Sequence, residues 1–221
     1  MDINQIVQTV AIYALPVLFA ITLHEAAHGY VARHFGDMTA YAQGRISLNP
    51  ARHIDLVGTI LVPIAIVVAS KFLGGAAVLF GWAKPVPVNY SALRRPRQNM
   101  LWVAAAGPAA NLAMALAWAL LLRISLFLPE NSFSEPLRLM CDAGMEVNVI
   151  LMLLNLLPIL PLDGGRIVAS LLPARMAWGY AKLEPWGFPI LLGLMFLGAL
   201  NVILAPMVTF SFRVLGTLFG I

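Results

Sequence analysis

The chain has 221 residues, of which 61% are hydrophobic and only 11% charged, with a mean hydropathy of +0.86. Soluble domains carry about a quarter charged residues, so this composition excludes a soluble enzyme, a disordered chain and a disulfide scaffold. The net charge of +4 lies in short loops between apolar runs, which reads as membrane orientation and argues against nucleic-acid binding.

The first uncharged run covers residues 6–23 and continues into His24, Glu25 and His28. As one helix, residues 5–31 would measure about 40 Å, enough to cross a bilayer with some tilt. The opening Met1-Asp2-Ile3-Asn4-Gln5 lacks a basic n-region and the run ends in ionisable groups, so a cleaved signal peptide is not expected. Pro16 is expected to kink or loosen one turn. Residues 41–50 alternate, contain Gly44 and end at Asn49-Pro50, which predicts a short strand closed by a turn.

Four further apolar stretches follow, at 56–70, 100–122, 147–162 and 185–212. The last has the length of one strongly tilted helix or of two pieces hinged near Pro206. Between 56–70 and 100–122, residues 78–88 carry Gly81, Pro85 and Pro87, which forbid regular helix and predict extended edge structure. The expected fold is therefore an all-α polytopic membrane protein of about five apolar segments with short membrane-associated strands. It forms a single domain over 1–221, with a core at about 6–172 and C-terminal membrane segments at 185–221. Cys141 is the one cysteine and has no disulfide partner.

His24-Glu25-Ala26-Ala27-His28 is an HExxH pattern. On a helix, residues i and i+4 stand about 40° apart, so two imidazoles converge on one metal ion, and Glu25 lies about 100° round from His24. Two histidines and an acid at the end of an apolar helix are costly without a role, which argues against a chance match. Imidazole nitrogen suits zinc, which needs one more protein ligand to form an open, catalytic site. Asp163 is the outstanding acid, after Pro158 and Pro161 and before Gly164-Gly165, where the glycines are expected to let the chain turn sharply. It also reads as a cap of the next helix, a role that does not exclude that of ligand. As a ligand it completes two histidines, an aspartate and a water.

HEAAH, then GPAAN at 107–111, then NLLPILPLDGG at 155–165, in that order on apolar segments, resembles the site-2 protease family of intramembrane zinc metalloproteases. GWAKPVPVN at 81–89 is similar to the signature of a compact branch lacking a PDZ domain. The resemblance covers about residues 6–166. It implies one zinc held by His24, His28 and Asp163, with Glu25 as general base, in a site below the membrane surface. It also implies transmembrane segments of other proteins as substrates.

Peptide hydrolysis inside a bilayer needs water, a Lewis acid and a base, and the oxyanion needs a donor. Asn155 and Asn111 are candidates for oxyanion or substrate contacts, with an interhelical hydrogen bond as the alternative for each. An unwound substrate can be held by β-augmentation along 41–48 or 78–88. His53 is either an accessory or gating group near the metal or a loop histidine paired with Asp55 or lipid headgroups. Arg94, Arg95 and Arg97 suit anionic lipid. The expected partners are transmembrane substrates and the bilayer, with no nucleic acid.

The metal ligands lie near the ends of their segments, so those two helices must run the same way across the membrane. Residues 56–77 are then expected to enter and return, turning near Pro63 or Gly74-Gly75. This leaves Arg33, Arg45, Arg52, Lys84, Arg94, Arg95 and Arg97 on the cytoplasmic side of the cell membrane, the side toward which the active site lies. A zinc-binding transporter or a non-proteolytic scaffold is the competing class. A transporter predicts ionisable groups scattered over several segments, whereas here they gather at one motif.

Overall fold

A run that is apolar all round gains its stability as a helix only inside a protein or a membrane. Residues 6–23 meet that description and form the middle of α1 (Ile3–His34), 32 residues long with Pro16 in its interior. The amides of Gly36 and Asp37 turn back onto the carbonyls of Arg33 and Ala32, and Gly36 adopts a φ of 106°. This Schellman-type cap uses the left-handed freedom of glycine to stop the helix. The computed structural model describes residues 3–53, 55–61 and 84–221.

Beyond α1 come a short α2 (Thr39–Ala42), a 3-10 turn at Pro50–Arg52, a π turn at Leu56–Leu61 and a 3-10 turn at Tyr90–Ala92. The longer helices are α3 (Pro96–Ser125), α4 (Ser134–Asn155), α5 (Asp163–Leu171), α6 (Ala174–Ala181), α7 (Glu184–Phe196) and α8 (Ala199–Phe219). The described residues are thus helical, with no strand among them.

Helices α1, α3 and α4 pack together as the central bundle. Their directions follow from their contacts. His28 meets Val103 and His24 meets Asn111, so α3 runs opposite to α1. Tyr13 bonds Glu146 near the start of the shared interface, and Asp163, just beyond α4, meets His24 and His28 at its end, so α4 runs parallel to α1. Small residues allow the close approach. Ala115, Ala119 and Cys141 are fully buried with Met145, Val149 and Leu215, and Gly144 lies flat beneath the Trp118 indole.

Three described helices, α1, α3 and α8, are long and apolar enough to cross a membrane, fewer than the five segments expected. The stretch at 147–162 is the second half of α4, whose first half carries Glu135, Arg138, Asp142 and Glu146, and α4 ends at Asn155 ahead of Pro158 and Pro161. The stretch at 185–212 is split at Gly198, with φ 70°, while Pro206 sits inside α8. Of the segment expected to re-enter, 56–77, residues 62–77 lie outside the described residues. Its two flanks meet, however: Lys84 N donates to His53 O at 2.9 Å.

The expected strand at 41–48 is not formed. Asp37 Oδ1 accepts from Thr39 N, and Gln43 N and Arg45 N bond back to Thr39 O and Ala40 O, so a helical turn takes the amides a ladder would need. Residues 84–89 form neither helix nor strand, and two of their donors go elsewhere than to a ladder: Val86 N to Glu25 and Asn89 N to Asp37. Residues 78–83 lie outside the described residues.

Candidate metal centre

The spacing of HExxH places His24 and His28 on one face of α1, and their Nε2 atoms lie 3.0 Å apart. Asp163 Oδ2 completes the group at 3.2 Å from His24 Nε2 and 3.3 Å from His28 Nε2. All three residues are buried, and Asp163 Oδ2 has no hydrogen-bond partner.

The outer nitrogen of each ring settles what the inner one presents. His28 Nδ1 lies 2.7 Å from the carbonyl oxygen of Val103, which can only accept, so Nδ1 carries the proton. His24 Nδ1 lies 2.6 Å from Asn111 Oδ1. The Asn111 amide is oriented by its own donor, Nδ2, which bonds Ala20 O at 3.3 Å and Asn148 Oδ1 at 3.0 Å. His24 Nδ1 therefore donates as well. A second proton on both rings would set two imidazolium cations 3.0 Å apart, so at least one Nε2 presents a lone pair. Two imidazole nitrogens and a carboxyl oxygen converging on one buried point suit a cation.

Zinc fits this donor set. Tetrahedral ligands at zinc–ligand distances of about 2.0–2.1 Å stand about 3.3 Å apart, close to the spacing seen here. Nδ1 hydrogen bonds of this kind fix ring orientation and raise ligand basicity. Gly107 provides room: a Cβ there would lie 2.4 Å from His28 Nε2 and 2.6 Å from His24 Nε2. Val103, Gly107 and Asn111 fall at i, i+4 and i+8 of α3, so one helix face offers a carbonyl, a gap and an amide.

Asp163 is the first residue of α5, behind Leu162 at the N-cap position; it makes no cap hydrogen bond and faces the two histidines. Gly164 and Gly165 do not serve by left-handed turning, since neither has positive φ. They permit close packing: Cβ atoms there would lie 2.2 Å from Leu156 O and 2.5 Å from Leu160 N. Arg97 of α3 holds the other end of α5 through the carbonyls of Ser170, Leu171 and Leu172.

Glu25 stands beside the triad with Oε2 accepting from Val86 N at 2.7 Å. Asn111 is committed to His24, Ala20 and Asn148, so the interhelical alternative holds and its donor is not available to an oxyanion. Asn155 donates Nδ2 to Leu151 O within α4. His53 is buried with Nε2 2.8 Å from Ser47 O, outside the metal group. The Val103 carbonyl, the Gly107 gap, Asn148 and the Val86 amide have no counterpart among the expected site residues.

No family model and no solved structure matches the chain. YwhC of Bacillus subtilis strain 168, named as a candidate zinc metalloprotease, is 37% identical over 196 residues, covering 87% of this chain and 84% of its own length. Rip2 of Mycolicibacterium smegmatis, named likewise, is 30% identical over 190 residues, covering 83% of this chain and 66% of its own length. Ordered motifs, metal group and relatives agree: the chain belongs to the site-2 protease family.

Proposed function

We propose that this protein is an intramembrane zinc endopeptidase that cleaves transmembrane segments of other membrane proteins. The convergence of His24 Nε2, His28 Nε2 and Asp163 Oδ2, with both Nδ1 atoms tied to acceptors, carries the reading. His24, His28 and Asp163 would hold the zinc, which when bound would supply a Lewis acid for the scissile carbonyl and a more acidic water. Glu25 takes a proton from the attacking water, the water oxygen bonds the carbonyl carbon, and the C–N bond breaks as the proton passes to the amine. The apolar helices α1 and α3, which carry the histidines and their acceptors, support a site inside the bilayer. The basic residues flanking the ligand ends of these helices support an orientation toward the cytoplasmic face of the cell membrane.

Cleavage of a transmembrane reporter by the purified protein in proteoliposomes, beside Glu25→Gln, tests this reading. The expected result is zinc retained in both and cleavage lost by at least about a hundredfold in the variant. Equal cleavage by both would reject Glu25 as the base, and no cleavage by the wild type would reject the protease reading.

A further inference from the structure

Residues 84–89, Lys-Pro-Val-Pro-Val-Asn, are gripped from several sides. Lys84 N donates to His53 O at 2.9 Å, and Asn89 N donates to the buried Asp37 Oδ2 at 2.6 Å. Pro85 and Pro87 have no N–H, so Val86 and Val88 hold the only amide donors between these anchors. The Val86 amide goes to Glu25 Oε2 at 2.7 Å. One turn further along α1, Gly29 leaves room for the Val86 side chain, whose Cγ1 would lie 3.3 Å from a Cβ at that position.

The peptide joining Pro85 to Val86 is held at both ends. Its N–H points to Glu25, and its oxygen accepts from Arg45 Nη2 at 3.3 Å. The same Nη2 donates to Lys84 O at 2.8 Å, while Nη1 donates to Arg52 O at 2.6 Å. A trans peptide is planar with its oxygen and hydrogen on opposite sides, so a guanidinium on one side and a carboxylate on the other fix its rotation. A cation on the oxygen also strengthens the N–H as a donor.

We propose that Arg45 is a positioning residue for Glu25, acting through the Pro85–Val86 peptide. Arg45 has no contact with the metal group. It sets the plane of one peptide, and that peptide sets the carboxylate of the base. This inference rests on the protease reading above and adds to it a residue remote from the motif.

The test uses the full-length protein in proteoliposomes, with zinc content, kcat and KM for a transmembrane reporter, and deuterium uptake at Val86. Arg45→Gln is expected to keep zinc and KM, to lower kcat by about tenfold to a hundredfold, and to speed exchange of the Val86 amide. Val86→Pro removes the N–H and leaves Arg45 its acceptors, and is expected to lower kcat to a similar extent with zinc retained. Unchanged kcat in either variant, or loss of zinc with kcat in Arg45→Gln, would overturn the proposal. Glu25→Gln runs beside them: active Arg45 and Val86 variants beside an inactive Glu25→Gln reject this inference alone, whereas an active Glu25→Gln rejects the reading beneath it.

Discussion

His24 Nδ1 and Asn111 Oδ1 lie 2.6 Å apart, joining the first ligand of the metal group to a residue 87 positions further along the chain. The bond is one link of a buried series, because Asn111 also donates to Ala20 O and Asn148 Oδ1, and Asn148 donates to Gly144 O. Asn111→Ala would remove the acceptor of the histidine and two donors at once. Zinc affinity is expected to fall by about 10- to 100-fold, as measured by competition with a chelator. The buried groups left unpaired should also cost stability by about 1–3 kcal/mol.

Gly107→Ala would put a methyl group where the ligands converge. With its Cβ 2.4 Å from one Nε2 and 2.6 Å from the other, the substitution should abolish stoichiometric zinc binding while the helix itself gains slightly in propensity. Metal analysis together with circular dichroism checks this: zinc lost, helicity kept.

Two glycines of α7 give a paired prediction. A Cβ on Gly187 would lie 1.4 Å from Leu160 O, in the loop that leads to Asp163, whereas a Cβ on Gly193 meets nothing within 4 Å. Gly187→Ala should displace the loop and reduce zinc affinity by tenfold or more, about 1.4 kcal/mol. Gly193→Ala should leave zinc binding intact and be neutral or stabilising by up to about 1 kcal/mol. Zinc titration and thermal unfolding in detergent separate the two.

Chelation is expected to lower thermal stability, because the metal group joins α1 to α5 and a ligand that binds only the folded arrangement stabilises it. Added zinc should restore the melting temperature of the wild type. Asp163→Ala should show neither the loss nor the recovery.

Tyr13→Phe removes a 2.6 Å hydrogen bond to Glu146 at a distance from the metal group. Thermal stability should fall by about 1 kcal/mol with zinc content unchanged, which separates packing of α1 on α4 from assembly of the site.

The parts of this protein legible in its sequence are those where chemistry follows local spacing. His24 and His28 reveal a shared face because i and i+4 always do. Asp163 stood out because few acids lie next to apolar segments. The Val103 carbonyl could not be read, since a main-chain atom is the same whatever letter the sequence carries. Gly107 serves by an absence, and the same letter at 164 and 165 suggested turning where the structure uses it for close packing. Residues 41–48 alternate like a strand, yet Asp37 starts a helical turn that consumes their amides. Glu135, Arg138, Asp142 and Glu146 precede the apolar stretch at 147–162, yet Glu146 finds Tyr13 across the bundle and one helix runs through all of them.

The line of Val103, Gly107 and Asn111 makes the two histidines unequal under mutation. His28 leans on a main-chain oxygen that every substitution at position 103 preserves, whereas His24 leans on a side chain that most single-codon changes at position 111 would delete. Random mutagenesis should therefore strike the site through position 111 much more often than through position 103. Sequences drifting away from proteolysis would be expected to loosen His24 first and to keep His28 in place long after activity has gone.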